Sequence, residues 1–412
     1  MTNQPSAPQL RLGVVGFGRR ASLATLVDRT VAALDPVSVL TPDDLHTAPA
    51  LFFREGTSVQ VRALEPHFAG YFARHQPGSR GPVPRATRVP PRPPSAPEPR
   101  LAPVGGARPR TPRSTRMTFI GEEIARQPQT WLKAASTAAE SADLLPRPGE
   151  RVAVVGCGTS WFMAEAYAAL REGHGLGETD HFAASEFPHD RTYDRLVAIS
   201  RSGTTTEILE LLERRRGRFP ALALTADTST PIVDAAEHVL DLSFADERSV
   251  VQTVFATTAL TALRAGLGEP TEPLAQAAQT ALRTPLPEEW LAADQITFLG
   301  RGWAHGIARE ASLKMREATQ SWTESYPSLE YRHGPIAIAA PGRLVWHFGP
   351  DEDGLRADVA ATGAHFVDHP EDPQADLIRV QRLAEALAVR RGLDPDRPRA
   401  LSRSVILDRS DS

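Results

Sequence analysis

A single cysteine, Cys157, stands in the 412 residues, which excludes an internal disulfide framework. No set of Cys, His and acidic residues falls at zinc-ligand spacing, so no metal is expected, and the lone thiol reads as a small buried or half-buried side chain. The sequence also lacks a charged leader with an apolar core and cleavage site, and any apolar run long enough to cross a bilayer. A cytoplasmic protein without a membrane partner is the expectation. The formal net charge is only −4, which supplies no global basic field for nucleic acid and leaves any acidic ligand to local chemistry. Lysine is nearly missing: of 46 basic residues only Lys133 and Lys314 are lysines. Two readings stand for them, a need for a compact or deprotonatable amine that arginine does not meet, or chance survival in an arginine-rich composition.

The chain opens with "LRLGVVGFGRRASLATLV", a strand pattern followed by Gly16, Gly18 and Ala21 in the order G-x-G-x-x-A, with Asp35 near the distance of a ribose-binding acid. This start resembles the nicotinamide-dependent oxidoreductases of the Gfo/Idh/MocA type. The following text shows no clean strand and helix alternation to complete the unit, so no cofactor is expected. From Pro77 to Arg113 prolines remove backbone donors and arginines repel one another, which predicts a disordered or polyproline-like linker, with partner recruitment as the other reading. Met117 is an alternative start for the orderly sequence that follows.

Beyond Met117 the texture becomes α/β. "MTFIGEEIARQPQTWLKAA" reads as an amphipathic helix, with Pro128 marking a break or a new start. "RVAVVGCGTSWFMAEAYAALREG" gives a buried strand, a glycine turn and a helix; "RLVAISRSGTTTEILELLERRR" repeats the plan, and "ALALTAD" and "HVLDLSF" add strands. The alternation predicts a parallel sheet covered by helices on both faces. The unit then returns: "DQITFLGRGWAHGIAREASLKMREA" overlays the first copy, with Gly300 and Gly302 opposite Gly156 and Gly158, and a later strand at "RLVWHFGP". Only the first copy carries a Ser/Thr cluster after its second strand.

That cluster, Ser200, Ser202, Thr204, Thr205 and Thr206 around Gly203, sits at the mouth of a helix. The first N–H groups of a helix lack partners and its dipole end is positive; hydroxyls add donors and glycine admits close approach. A phosphate fits these requirements, whereas ordinary capping by Thr204 or Thr205 uses one hydroxyl of the five. Gly158, Thr159 and Ser160 end another strand of the same sheet, so both loops are expected to face one pocket. Without a Walker motif, a small phosphorylated metabolite is favoured over a nucleoside triphosphate. Glu310, Lys314 and Glu317 fall at i, i+4 and i+7; a solvated salt-bridge stripe is one reading of them, a proton-transfer group the other.

"VVGCGTS", "ISRSGTTTE", "ASLKMRE" and "LEYRHGP", in this order over residues 117–412, resemble the tandem sugar isomerase (SIS) domains of the isomerase half of glutamine–fructose-6-phosphate aminotransferase and of aminosugar-phosphate deaminases and deglycases. The resemblance implies an α/β fold of two SIS domains, each a parallel sheet flanked by helices, behind a largely disordered amino-terminal extension. The divisions are 1–76, a linker at 77–116, a first SIS domain at 117–272 and a second at 273–412. It also implies a sugar phosphate held by Ser200, Ser202 and Thr205, with Arg201 lining the loop and Thr159 and Ser160 near the sugar. Glu317 is implied as the acid moving a proton between C1 and C2, with Lys314 its helical neighbour. His333 is implied in ring opening at the site of an opposite subunit, hence a homodimer; a turn-shaping role for His333 is the alternative.

The expected function is a sugar-phosphate isomerase or deaminase on a hexose or hexosamine 6-phosphate, needing no cofactor; a non-catalytic sugar-phosphate sensor is the alternative. Glutamine hydrolysis by this chain is not expected, since the aminotransferase uses an amino-terminal cysteine and this chain begins Met-Thr. The tail "DRPRALSRSVILD" resembles the family's closing tail with Arg403 where an imine-forming lysine stands, and a guanidinium stays protonated. Only Lys314 or Lys133 remains as an amine.

Overall fold

The computed structural model describes residues 118–351 and 353–407. The Gly16–Gly18–Ala21 turn, Asp35 and the Pro/Arg-rich linker lie outside them.

Among the described residues, nine strands form two all-parallel sheets. The first joins β1 (Val152–Gly156), β2 (Thr179–Ala183), β3 (Arg195–Ile199), β4 (Ala221–Thr225) and β5 (His238–Asp241) in the order β2-β1-β3-β4-β5. The second joins β6 (Gln295–Gly300), β7 (Thr323–Pro327), β8 (Arg343–Phe348) and β9 (His365–His369) in the order β7-β6-β8-β9. The strands β1, β3, β4, β5, β6 and β8 fall where the apolar runs predict them. The strands β2, β7 and β9 do not announce themselves: three of the five residues in each of "TDHFA", "TESYP" and "HFVDH" are polar, and all three strands lie at sheet edges.

The helices are α1 (Phe119–Glu140), α2 (Thr159–Gly173), α3 (Thr206–Arg215), α4 (Val254–Gly266), α5 (Thr271–Arg283), α6 (Ala304–Thr319), α7 (Leu355–Ala361) and α8 (Pro373–Arg390), besides single turns. Alternation along the strands sorts side chains onto two faces. Val152, Val154, Val197 and Ile199 of the first sheet and Ile296, Phe298, Leu344 and Trp346 of the second enter one shared core with α2, α4, α6 and α8. The opposite faces are covered separately: Ala153, Val155, Leu196 and Ala198 lie under Ile208, Leu211 and Leu212 of α3, and Leu299 and Val345 lie under Leu355 and Val359 of α7.

α1 runs unbroken through Pro128, contrary to the expected break. The missing proline N–H would have met the Ile124 carbonyl; the Gln127 side-chain amide donates to that oxygen instead, at 3.4 Å. The orphaned acceptor is satisfied inside the core, and the helix continues.

The repeated glycine turns are structural equivalents. Gly158 and Gly302 adopt φ of 55° and 56°, and Gly156 and Gly300 sit where the following helix doubles back onto the strand. A Cβ on Gly300 would lie 2.2 Å from the Ala304 carbonyl oxygen, and one on Gly156 2.5 Å from the Trp161 nitrogen. Backbone cannot yield to such contacts cheaply, so Gly300→Ala is expected to destabilise by about 3 kcal/mol in chemical denaturation. Gly302→Asn, with open space beside it and a residue tolerant of the left-handed region, is expected to cost less than about 1 kcal/mol.

Candidate functional site

The polar loop leaves the carboxyl end of β3 and enters α3, as the strand–loop–helix pattern requires. Gly203 has φ of 62°, and a Cβ there would strike the Thr230 hydroxyl at 2.0 Å, so the tight turn depends on glycine. Thr205 is the N-cap residue of α3 but its side chain makes no capping bond. The hydroxyls are thus not consumed by capping. Ser160, Ser200, Arg201, Ser202 and Thr205 line one small cavity of about 30 Å³ together with Cys157, Gln252 and Arg403, so the two loops do face one pocket.

The chain's own tail meets the donors of the polar loop. Ser202 Oγ donates to Ser404 Oγ at 3.1 Å and Thr204 Oγ1 donates to the same oxygen at 2.9 Å. The backbone N–H of Thr206, in the first turn of α3, donates to the Val405 carbonyl at 3.2 Å. A serine hydroxyl and a carbonyl oxygen therefore stand where an anion would receive the same donors.

Arg201 does not offer its charge to the pocket. Its guanidinium is buried, donating to the carbonyls of Ser249, Val250 and Arg403 at 3.1, 3.2 and 2.7 Å, and it lies 3.8 Å from Glu247 Oε1. Arg403 is anchored beside it, donating to the Glu247 carbonyl and pairing with Asp246. Cys157 lies at the cavity wall with its thiol pushed up to about 11 by burial and by the neighbouring Glu207 carboxylate, which makes it an inert lining group rather than a nucleophile. Gln252 lines the pocket with its amide oxygen buried and unpartnered; nothing in the residue order points to it, because it follows no motif and reaches the site from the segment before α4.

Glu310, Lys314 and Glu317 all lie on α6. The solvated-stripe reading fails: Glu310 and Lys314 are each 1% exposed. α6 is pressed against the first half of the protein at Gly306, where a Cβ would meet the Phe162 carbonyl oxygen at 2.6 Å, and this close crossing buries the stripe. Lys314 Nζ bonds Glu317 Oε2 and lies 3.6 Å from Glu310 Oε1. Burial alone would pull the ammonium down, but Glu310 and Glu317 outweigh it and hold Lys314 above its ordinary range. Glu310 takes the opposite course: burial, then the Glu317 charge, push its carboxyl up to about 8 against the pull of Lys314 and the Thr159 side chain. Neither Glu310 oxygen has a hydrogen bond of ordinary geometry. Thr159 therefore faces Glu310 rather than the pocket, while its neighbour Ser160 lines the pocket.

At neutral pH Glu310 is then largely protonated, and the folded chain binds a proton that the unfolded chain has released. Stability attributable to this group falls as pH rises from about 4.5 towards 8. Glu310→Gln, which fixes the neutral form, is expected to flatten that fall; melting temperatures at pH 6 and pH 9 should separate less in the variant than in the parent.

Glu317, Lys314 and His333 do not line the small pocket. The connection to it is electrostatic and local: Glu247 raises Lys314 from one side and pairs with Arg201 from the other, and Glu310 meets Thr159. His333 is exposed, at the end of a tight turn over Leu329–Arg332 that follows edge strand β7. Lys133 lies on α1, 4.3 Å from the Phe244 ring centre, away from both loops. Among the described residues no group of His, Cys, Asp and Glu is arranged to hold a metal ion, and no helix is long and apolar enough to cross a membrane.

No family model matches the chain. Among curated proteins it is 29% identical over 306 residues to the glutamine–fructose-6-phosphate aminotransferase [isomerizing] of Methanothermobacter thermautotrophicus, covering 63% of this chain and 52% of that protein. The protein of the same name from Aeropyrum pernix is 28% identical over 357 residues, with 70% and 57% covered. The chain thus spans about half the length of the curated relatives it matches. Among solved structures, glucosamine-6-phosphate deaminase from Thermotoga maritima aligns with a TM-score of 0.58 at 23% identity, covering 70% of this chain and 100% of that one. Tagatose-6-phosphate ketose/aldose isomerase from Escherichia coli aligns with a TM-score of 0.59 at 19% identity, covering 71% and 97%.

Proposed function

We infer that this chain, a relative of the isomerase half of glutamine–fructose-6-phosphate aminotransferases with the sugar isomerase (SIS) fold, is an enzyme that binds a hexose or hexosamine 6-phosphate and isomerises or deaminates it. The observation that carries this reading is the uncapped start of α3, where Ser202, Thr204 and the Thr206 N–H converge on the oxygens of the tail. Those donors suit a phosphate, which would displace the Ser404 hydroxyl. Ser160, Ser200, Ser202 and Thr205 are assigned to the sugar phosphate, and Arg201 to holding the loop through Glu247 rather than to touching the ligand.

Aldose and ketose phosphates interconvert through an enediol or enolamine, in which one carboxylate takes a proton from one carbon and returns it to the next. Glu317 is assigned that transfer. Lys314, charged between two carboxyls, holds the Glu317 side chain in place through its ammonium. His333 is assigned to ring opening, since imidazole titrates near neutrality, from the partner of a homodimer. Edge strand β7 and the exposed Trp322 (77%) and Leu329 beside it supply an apolar surface suited to that contact.

Arg403 favours one further reading. Without an amine at that position no Schiff base with a ketose forms there, which is compatible with a deaminase-type route or with binding without turnover. The full chain should be incubated with glucosamine 6-phosphate, and separately with fructose 6-phosphate and ammonia, following ammonia and sugar products. Product formation is expected; thermal stabilisation by both sugars with no product would replace the enzyme by a sugar-phosphate sensor.

A further inference from the structure

A larger crevice, of about 300 Å³, opens at the carboxyl ends of β6, β8 and β9. Through the repeated glycine turn this is the same edge of the second sheet that carries the polar loop in the first. A cleft thus lies at this edge of both sheets, with different groups on its walls. The second cleft is lined by Arg301, Trp303, His347, Asp353, Glu371 and Asp372, with apolar residues between them; no serine or threonine hydroxyl is among its lining groups.

These groups are unsuited to an anion. The Arg301 guanidinium is already paired with Asp353 at 3.1 Å. His347 is buried, with Nδ1 2.9 Å from the Gly349 carbonyl and Nε2 2.9 Å from Ser328 Oγ. A carbonyl only accepts, so Nδ1 donates to it, and both ring nitrogens are engaged. Asp372 is held by Arg264, which also stacks over the Trp303 ring at 4.8 Å. Three carboxylates thus face a cleft whose nearby cations are all engaged.

Glu371 is the least satisfied of them. One oxygen accepts from Arg379 at 2.7 Å; the other is buried without a donor. A carboxylate oxygen left so is costly, and the broad terminal torsion of glutamate lets it turn to a donor placed in the cleft. An indole wall beside acceptor-only carboxylates fits a ligand with an apolar ring face, hydroxyl donors and a cation. We propose that this second cleft binds an amino-bearing pyranose without a phosphate, the aromatic wall taking the ring and Glu371 and Asp353 taking its ammonium and hydroxyls. The volume accommodates one such ring.

The test uses the full chain carrying Ser202→Ala and Thr205→Ala, so that binding at the polar loop does not contribute and failure of that reading leaves this one measurable. Calorimetric titration with glucosamine, glucose, glucosamine 6-phosphate and inorganic phosphate is expected to show saturable binding of glucosamine, weaker binding of glucose by about tenfold for the lost charge-assisted contact, and none of phosphate. Glu371→Gln and, separately, the exposed Asp353→Asn are each expected to weaken glucosamine binding about tenfold with the melting temperature of Asp353→Asn unchanged. Absence of saturable glucosamine binding, equal binding of glucosamine 6-phosphate, or insensitivity to both substitutions overturns the assignment.

Discussion

Glu317→Gln is expected to lower turnover of the sugar phosphate by about 10²- to 10⁴-fold, the contribution of a positioned proton-transfer group, while leaving ligand affinity within about twofold of the parent. Glutamine keeps the shape of the side chain and its reach to Lys314, but it does not carry a proton between carbons. The variant should also fold. Burial pushes Glu310 up first and the Glu317 charge adds to it, so removing Glu317 lowers the Glu310 carboxyl, and the buried Lys314 ammonium keeps Glu310 3.6 Å away. Steady-state kinetics with a melting curve as control checks both halves; unchanged turnover in a folded variant removes Glu317 from the chemistry.

Ser202→Ala combined with Thr205→Ala is expected to weaken binding of a hexose 6-phosphate by about 10²-fold or more, since each hydrogen bond to a charged group is worth about 1.5–3 kcal/mol. The fold is expected to survive because these hydroxyls meet only the loop's own backbone and the Ser404 hydroxyl. The discriminating comparison is the same sugar without its phosphate, for which the double variant should behave as the parent does. Equal loss for both sugars would mean that the loop shapes the pocket rather than receiving the phosphate.

Much of this site was legible because it is local. A glycine turn between an apolar strand and a helix requires only a few consecutive residues, and Gly156, Gly158, Gly300 and Gly302 specify it twice. The Ser/Thr cluster is equally local, and the loops meet because parallel strands deliver their carboxyl ends to one edge. What depended on tertiary packing was hidden. The spacing of Glu310, Lys314 and Glu317 puts them on one helix face without saying what covers it; the close approach at Gly306 decides that. Arg201 sits in the loop's sequence yet turns inward because Glu247 is buried behind it. The rescue of Pro128 by the Gln127 amide is a side-chain accident of one rotamer, and the edge strands β2, β7 and β9 take their conformation from a neighbour rather than from their own composition.

The proposed chemistry depends on the start of α3 receiving the phosphate of a sugar phosphate. A crystal structure of the full chain with glucosamine 6-phosphate tests it most directly. The phosphate is expected against Ser202, Thr205 and the first N–H groups of α3, with Ser404 moved off the hydroxyls it now occupies. A sugar phosphate bound elsewhere, with Ser404 still joined to Ser202 and Thr204, would contradict it.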